Sequence, residues 1–168
     1  MAGDVDPERR RIVNLERAIR IAVEAHAGQT DKEGQPYVLH VLRVMFAVSH
    51  PEARIAAVLH DVVEDTSISI EQLREEGFSD TVLEIVYCLT RRRGIKYSEY
   101  VIALKANPLA VQVKLADLSD NSRLDRNVIF PERFEADQRR LSRYLVTYKF
   151  LAEQIDETTY RALMADLD

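Results

Sequence analysis

The chain has one cysteine, Cys88, in 168 residues, so it cannot form an intramolecular disulfide. The thiol sits in the apolar run Val82-Leu83-Glu84-Ile85-Val86-Tyr87-Cys88-Leu89 and reads as a core group in a reducing compartment. Glycine and proline are also scarce, five of each, and no repeat, low-complexity tract or linker is visible. No run approaches the roughly 20 apolar residues that span a bilayer, and the first residues, Met1-Ala2-Gly3-Asp4-Val5-Asp6-Pro7, lack the apolar segment of a signal peptide. The expectation is a cytoplasmic protein without membrane contact. Positive charge is in short supply too: 23 Lys and Arg against 28 Asp and Glu leave a net charge of -5. Broad phosphate neutralisation is therefore unavailable, which argues against nucleic acid as a partner. Any polyanionic ligand must meet a local basic pocket.

What is present is apolar periodicity. With 46% apolar residues the length suits one domain spanning 1–168, with a core over about 10–150 and a helical extension over about 151–168. Residues Ile12, Leu15, Ile19, Ala22 and Val23 recur at helical spacing over 7–27, after an Asp6-Pro7 start signal. Glycines, a proline and charges mark 26–36 as a loop, and 37–48 is helical again around His40. The segment 51–63 is apolar almost all round, as a central helix would be. Ser67 or Ser69 starts a short helix over 70–75 closed by Gly77, and Ser79 or Asp80 starts another to about 90. Arg91-Arg92-Arg93-Gly94 is a basic turn before helices over 96–105 and 109–118. Residues 121–127 read as irregular or one short turn, 131–155 as the longest helix and 157–167 as a terminal one. No alternating strand pattern occurs, so the fold class is all-α.

One stretch stands apart. The run Ala56-Ala57-Val58-Leu59 leads directly into His60-Asp61, followed one turn later by Glu64-Asp65. Ionisable groups beside so apolar a helix must recover several kcal/mol through pairing, hydrogen bonds or a metal. On a continuous helix His60 and Glu64 share one face, as do Asp61 and Asp65. Two other apolar segments each carry one polar residue able to complete a cluster, His40 and Asp117. Together His40, His60, Asp61 and Asp117 offer two imidazoles and two carboxylates. That donor set suits an octahedral Mn²⁺ or Fe²⁺, with Co²⁺, Ni²⁺, Mg²⁺ and Zn²⁺ as alternatives. Such an ion acts as a Lewis acid on a phosphoryl oxygen and acidifies bound water, and Glu64 and Asp65 stand one turn away to orient or deprotonate that water.

These residues carry a resemblance. His40, the His60-Asp61 pair and Asp117 resemble the metal-ligand pattern of the HD-domain phosphohydrolases, an all-α superfamily. The longer string is similar to the hydrolase domain of the RelA/SpoT alarmone proteins. It reads His26-x-Gly28-Gln29…Lys32-x-Gly34-x-Pro36-Tyr37-x-x-His40, then His60-Asp61-x-x-Glu64-Asp65-Thr66, then Val113-Lys114-Leu115-Ala116-Asp117…Asn121-x-Arg123. The resemblance covers most of 10–150 and implies a helical bundle with a buried mononuclear metal site, usually Mn²⁺. The implied reaction is removal of the 3′-pyrophosphate of guanosine tetra- or pentaphosphate. The resemblance also implies Lys32, Lys114, Asn121 and Arg123 as contacts to the nucleotide, in the manner of a small stand-alone hydrolase.

The chain departs from that pattern in three places. Asp31 stands where the family usually has arginine, Val41 follows His40 in place of proline, and Leu118-Ser119-Asp120 follows Asp117 where a cation and leucine are usual. The metal and water machinery is intact while the base-recognition loop is altered. A broader HD hydrolase of nucleoside mono- or triphosphates is therefore the alternative, and a nucleotide-binding module without turnover is a third reading. Exposed apolar helix faces allow a homodimer. Tyr97 and Tyr100 read as packing residues, His26 as a hydrogen-bonding partner of the following loop, and Arg139, Arg140 and Arg143 as the wet side of the long helix.

Overall fold

The computed structural model describes residues 7–126 and 131–168. Among these the regular structure is helical, with one isolated antiparallel bridge between Thr30 and Pro36. The helices are α1 (Pro7–Ala25), α2 (Val38–Ala47), α3 (Pro51–Leu59), α4 (Val62–Asp65), α5 (Ile70–Glu75), α6 (Asp80–Leu89), α7 (Tyr97–Leu104), α8 (Pro108–Asn121), α9 (Phe134–Leu151) and α10 (Glu157–Met164). Short 3₁₀ turns cover Leu124–Arg126 and Pro131–Arg133. Asp6, the Ile12 side chain and Asn127 lie outside the described residues. Among the described residues no helix is long and apolar enough to cross a membrane.

Helix α3 is the hub. Its Ala53, Ile55, Ala56, Ala57, Val58 and Leu59 are buried, and it packs against α1, α2, α6 and α8. A helix apolar on every side has no face to give to water, so its neighbours must surround it. Full burial of a side chain such as Leu59 contributes about 1.5–3 kcal/mol.

Local chemistry sets the ends. Ser69 accepts from Gln72 N–H while the Gln72 side chain accepts from Ser69 N–H, a reciprocal cap, so Ser69 and not Ser67 starts α5. Ser79 caps α6, and Asn107 caps α8 with Pro108 in the first turn. With 18 residues against the 19 of α1, helix α9 is not the longest helix as expected, and it runs only from Phe134 to Leu151, inside the expected 131–155. There Glu153 takes φ 58°, Gln154 N–H bonds Lys149 O at 2.9 Å, and Glu153 N–H bonds Phe150 O at 3.2 Å. This is a Schellman closure built on a residue other than glycine. Tyr97 and Tyr100 are buried against each other, and Tyr100 Oη donates to Leu89 O at 2.6 Å, which makes them packing residues. Cys88 is a free, half-buried thiol raised by burial.

Two expectations need correction. The segment 51–63 is not one helix: α3 ends at Leu59, and the chain turns at His60 and Asp61 before α4. His60 Nδ1–H donates to Ala57 O at 2.8 Å, the carbonyl that Asp61 N–H would take in an unbroken helix. Asp61 itself lies at φ -98°, ψ -8°, and the ladder resumes only with Asp65 N–H on Asp61 O at 2.8 Å. Second, α8 does not stop at 118 but runs to Asn121, so Asp117 is an interior residue and Asp120 shares its face.

Candidate metal centre and its pocket

Three parts of the chain deliver the cluster. His40 comes from the first turn of α2, His60 and Asp61 from the turn between α3 and α4, and Asp117 from the last turn and a half of α8. Because α3 packs against α8 and α2 against both, these points converge. His40 Nε2 lies 3.3 Å from Asp117 Oδ1 and 3.8 Å from Asp61 Oδ2, and His60 Nε2 lies 3.0 Å from Asp61 Oδ2 and 3.8 Å from Asp117 Oδ1. Ligand atoms of His40, His60 and Asp61 all fall within 4.8 Å of one another. Asp117 stands outside that three-residue group, but its Oδ1 lies against both imidazoles, so the four expected residues meet at one place.

The hydrogen bonds aim the imidazoles inward. His40 Nδ1–H donates to Asp120 Oδ2 at 2.7 Å and His60 Nδ1–H to Ala57 O, so both Nε2 atoms face the carboxylates. Among the described residues His60 Nε2 is buried without an aligned hydrogen-bond partner, although Asp61 Oδ2 is close. A buried ring nitrogen whose lone pair meets only carboxylate oxygens fits a cation. Donors about 2.1 Å from an ion and at right angles to each other are about 3.0 Å apart, so the observed spacing suits one ion after slight contraction. The His/Asp cluster is a site able to hold a divalent metal.

Charge here is tightly compensated. Burial alone would raise Asp61, but His60 beside it holds it down at about 2. Burial likewise opposes ionisation of Asp117, yet Lys114 and the two imidazoles hold its carboxyl well below the usual range. Burial pulls both imidazoles down, and the carboxylates outweigh it and raise them. Lys114 Nζ donates to Asp117 Oδ2 at 2.7 Å and Asn121 Nδ2 to Asp117 Oδ1 at 2.5 Å. Burial lowers Lys114, and Asp117 overrides it, leaving the ammonium well above its ordinary value. Tyr37 Oη donates to Asp61 Oδ2 at 2.6 Å.

Above the cluster opens a cavity of about 390 Å³, lined among others by Asp31, Lys32, Lys114, Asn121, Arg140 and Tyr144. Of the four expected substrate contacts, Lys32, Lys114 and Asn121 line it. Arg123 is exposed and pairs with Asp125, Nη2 to Oδ2 at 2.6 Å, and does not line the cavity. Glu64 and Asp65 are exposed and do not line it, and burial followed by the Asp61 charge raises Asp65. Burial also raises Glu64, whose Oε2 accepts Arg91 N–H at 2.9 Å. The basic wall comes from Lys32, Lys114 on α8 and Arg140 on α9, not from Arg91-Arg92-Arg93, which stay exposed. Arg140 is half-buried on the cavity wall and Arg143 lies over the Tyr97 ring, which corrects their reading as the wet side. Lost hydration lowers the Lys32 ammonium to about 8, and the nearby Arg140 adds to the shift. Asp31 turns inward: its Oδ1 accepts Glu33 N–H at 3.0 Å and Gln35 N–H at 2.9 Å, tying the loop. His26 Nδ1 bonds Gln29 Oε1 at 2.9 Å, the role expected of it.

Tyr37, Arg43, Asp120, Arg140 and Tyr144 had been given no role in the site from the sequence. Tyr37 and Arg43 lie three residues either side of His40 and Asp120 three after Asp117, spacings that share a helical face. Nothing local ties α9 to the site, so Arg140 and Tyr144 had no signal.

An all-α bundle that gathers two histidines and two aspartates around a cation-sized gap, from one His-Asp dipeptide and two distant helices, defines a class of helical metal-site proteins. The HD domain family model matches residues 18–118, more than half of the chain. The chain belongs to the HD domain family and is of the RelA/SpoT type. It is 31% identical over 166 residues to a Streptomyces coelicolor protein named GTP pyrophosphokinase, a match covering 91% of this chain and 19% of that protein. It is 35% identical over 118 residues to the Haemophilus influenzae protein named guanosine-3′,5′-bis(diphosphate) 3′-pyrophosphohydrolase, covering 61% of this chain and 17% of that one. The chain spans about a fifth of the length of the curated relatives it matches. A solved structure described as a metazoan ortholog of SpoT that hydrolyzes ppGpp superposes with a TM-score of 0.65 at 23% identity, covering 91% of this chain and 94% of that one, and so shares the fold.

Proposed function

We propose that the chain is a divalent-metal-dependent phosphohydrolase that removes the 3′-pyrophosphate of a guanosine 3′,5′-bis(diphosphate)-like nucleotide. The observation that carries this reading is the buried His60 Nε2, held by its Nδ1–H bond to Ala57 and facing Asp61, beneath a cavity walled by Lys32, Lys114 and Arg140. The names of relatives such as the Haemophilus influenzae protein support the substrate class. In this reading His40, His60, Asp61 and Asp117 hold the ion, with Mn²⁺ as the first choice and Fe²⁺, Co²⁺, Ni²⁺, Mg²⁺ or Zn²⁺ as substitutes. When bound, the ion supplies Lewis-acid polarisation of a phosphoryl oxygen and acidification of water.

The chain's own groups do the rest. Lys114 and Asn121 hold the Asp117 carboxylate in place, and Tyr37 holds Asp61. Lys32 and Arg140 offer cations to the phosphates in an otherwise acidic protein, and Asn121 offers a polar contact to the nucleotide. Glu64 and Asp65 serve as acceptors for the proton of the attacking water, since raised carboxyls lie nearer the operating pH. Arg123 reaches phosphate only by leaving Asp125. The negative net charge supports a small nucleotide as partner in place of nucleic acid, and a cytoplasmic homodimer completes the proposal.

Asp31 favours a second reading, a broader nucleotide phosphohydrolase, because a carboxylate turned into its own loop adds no cation for the base or its phosphates. One experiment separates them. Mn²⁺-loaded protein is given guanosine 3′,5′-bis(diphosphate) and a set of nucleoside mono- and triphosphates, and products are identified. Guanosine diphosphate with pyrophosphate is the expected result. Turnover of the other nucleotides alone removes the first substrate, and binding without turnover of any of them removes the enzyme.

A further inference from the structure

We infer that Asp120 is a positioning residue for the metal centre: it fixes His40 with Nε2 facing the ligand cluster, and Arg43 fixes Asp120. The inference rests on the reading of that cluster as a cation site. Asp120 is buried on α8, one turn beyond Asp117, and does not line the substrate cavity. Its Oδ2 accepts His40 Nδ1–H at 2.7 Å, and its Oδ1 accepts Arg43 Nε–H at 2.8 Å, so its two oxygens face two different groups on α2. A buried carboxylate needs a charge partner, and Arg43 alone would satisfy that need. The bond to His40 is the shorter of the two and has a separate consequence. With Nδ1 occupied as a donor, the ring is held in the tautomer whose Nε2 lone pair looks toward Asp61 and Asp117, 3.8 Å and 3.3 Å away.

The carboxylate also makes the imidazole a stronger base and so a better ligand. His60 is oriented by a backbone carbonyl, a neutral acceptor, so the two imidazoles are supported differently. The negative charge behind the ligands is concentrated on His40. The chain of contacts continues outward, since Arg43 Nη2 lies 4.0 Å from Asp31 Oδ2 in the loop above the cavity. Asp120 thereby serves the metal centre instead of the nucleotide.

The test is titration of Mn²⁺ alone into metal-free protein, read by calorimetry, with the melting temperature of each metal-free variant recorded. Asp120→Ala is expected to weaken Mn²⁺ binding about 10- to 100-fold, the usual effect of losing such a partner, and His60→Ala to abolish it. The double variant Arg43→Gln with Asp120→Asn rebuilds the chain without charge: the Gln oxygen accepts from the Asn amide, whose oxygen accepts His40 Nδ1–H. It is expected to recover most of the affinity lost in Asp120→Ala, which a purely structural role for the ion pair does not provide. Wild-type affinity in Asp120→Ala, with binding lost in His60→Ala, overturns the inference. So does a double variant that binds no better than Asp120→Ala, and because it leaves neither group unpaired it carries the test if Asp120→Ala does not fold. Wild-type binding in His60→Ala overturns the metal site itself, a distinguishable result.

Discussion

Replacing Lys114 by methionine keeps most of the side-chain length and removes one charge from beside the buried Asp117 carboxylate. Lys114 Nζ lies 2.7 Å from Asp117 Oδ2, with side-chain exposures of 15% and 7%, so the pair is largely out of water. Breaking a buried pair by deleting one partner costs about 3–5 kcal/mol, because the other charge stays buried. The lower end applies here, since Asn121 and the two imidazoles still face Asp117. For a chain of this size, about 3 kcal/mol corresponds to a drop of roughly 6–12 °C in melting temperature. A divalent cation at the cluster replaces the lost positive charge, so saturating Mn²⁺ should narrow the gap between variant and wild type. The assay is thermal unfolding of both proteins, metal-free and with Mn²⁺. A metal-free variant that melts within about 2 °C of wild type would show that the pair is solvated and that its burial carries no such cost.

Glu64→Gln should leave Mn²⁺ affinity unchanged and lower kcat about 10²- to 10⁴-fold, as loss of a general base does, and unchanged turnover removes Glu64 from proton transfer. Lys32 is expected to set an alkaline limb. Its ammonium, lowered to about 8, is charged below that pH and neutral above it, so kcat/KM should fall as pH rises through about 8. Lys32→Arg, charged throughout, should abolish that limb in a pH–rate profile, while persistence of the limb assigns it to another group. Glu153→Gly should stabilise the protein by about 1 kcal/mol, because Glu153 holds φ 58° at the end of α9, where glycine meets no steric cost. A melting temperature at or below that of wild type would refute this account of the turn.

Much of the site was legible because its chemistry violates the surrounding pattern. His60-Asp61 after four apolar residues, and single polar residues in two other apolar segments, announce groups that burial makes costly unless they meet. The helices were legible for a related reason: apolar positions at 3.6 spacing and capping residues such as Ser69 and Ser79 are local facts. The break at His60 was not. The competition between its ring N–H and the backbone for Ala57 O depends on the ring being drawn to the cluster, which is a tertiary event. The same holds for Asp120, whose helix continues past the expected stop because His40 and Arg43 give its carboxylate partners.

The sequence by itself therefore determined an all-α chain, four costly polar residues in need of partners, and a shortage of positive charge requiring a local basic wall, while the HD type was implied only by the resemblance of its motifs. Periodicity and cap chemistry act over one or two turns, and the cost of burying charge is a property of residue type, so no coordinates are needed for those conclusions. Only the tertiary structure decided which cations form that wall, since Arg140 on α9 lines the same cavity as Lys32 and Lys114 although it is far from both along the chain. It also decided that Lys114 serves Asp117, that Asp31 is turned into its loop, and that Asp120 stands behind His40. Each of these depends on how helices pack side by side, and that packing is set by the whole core around α3.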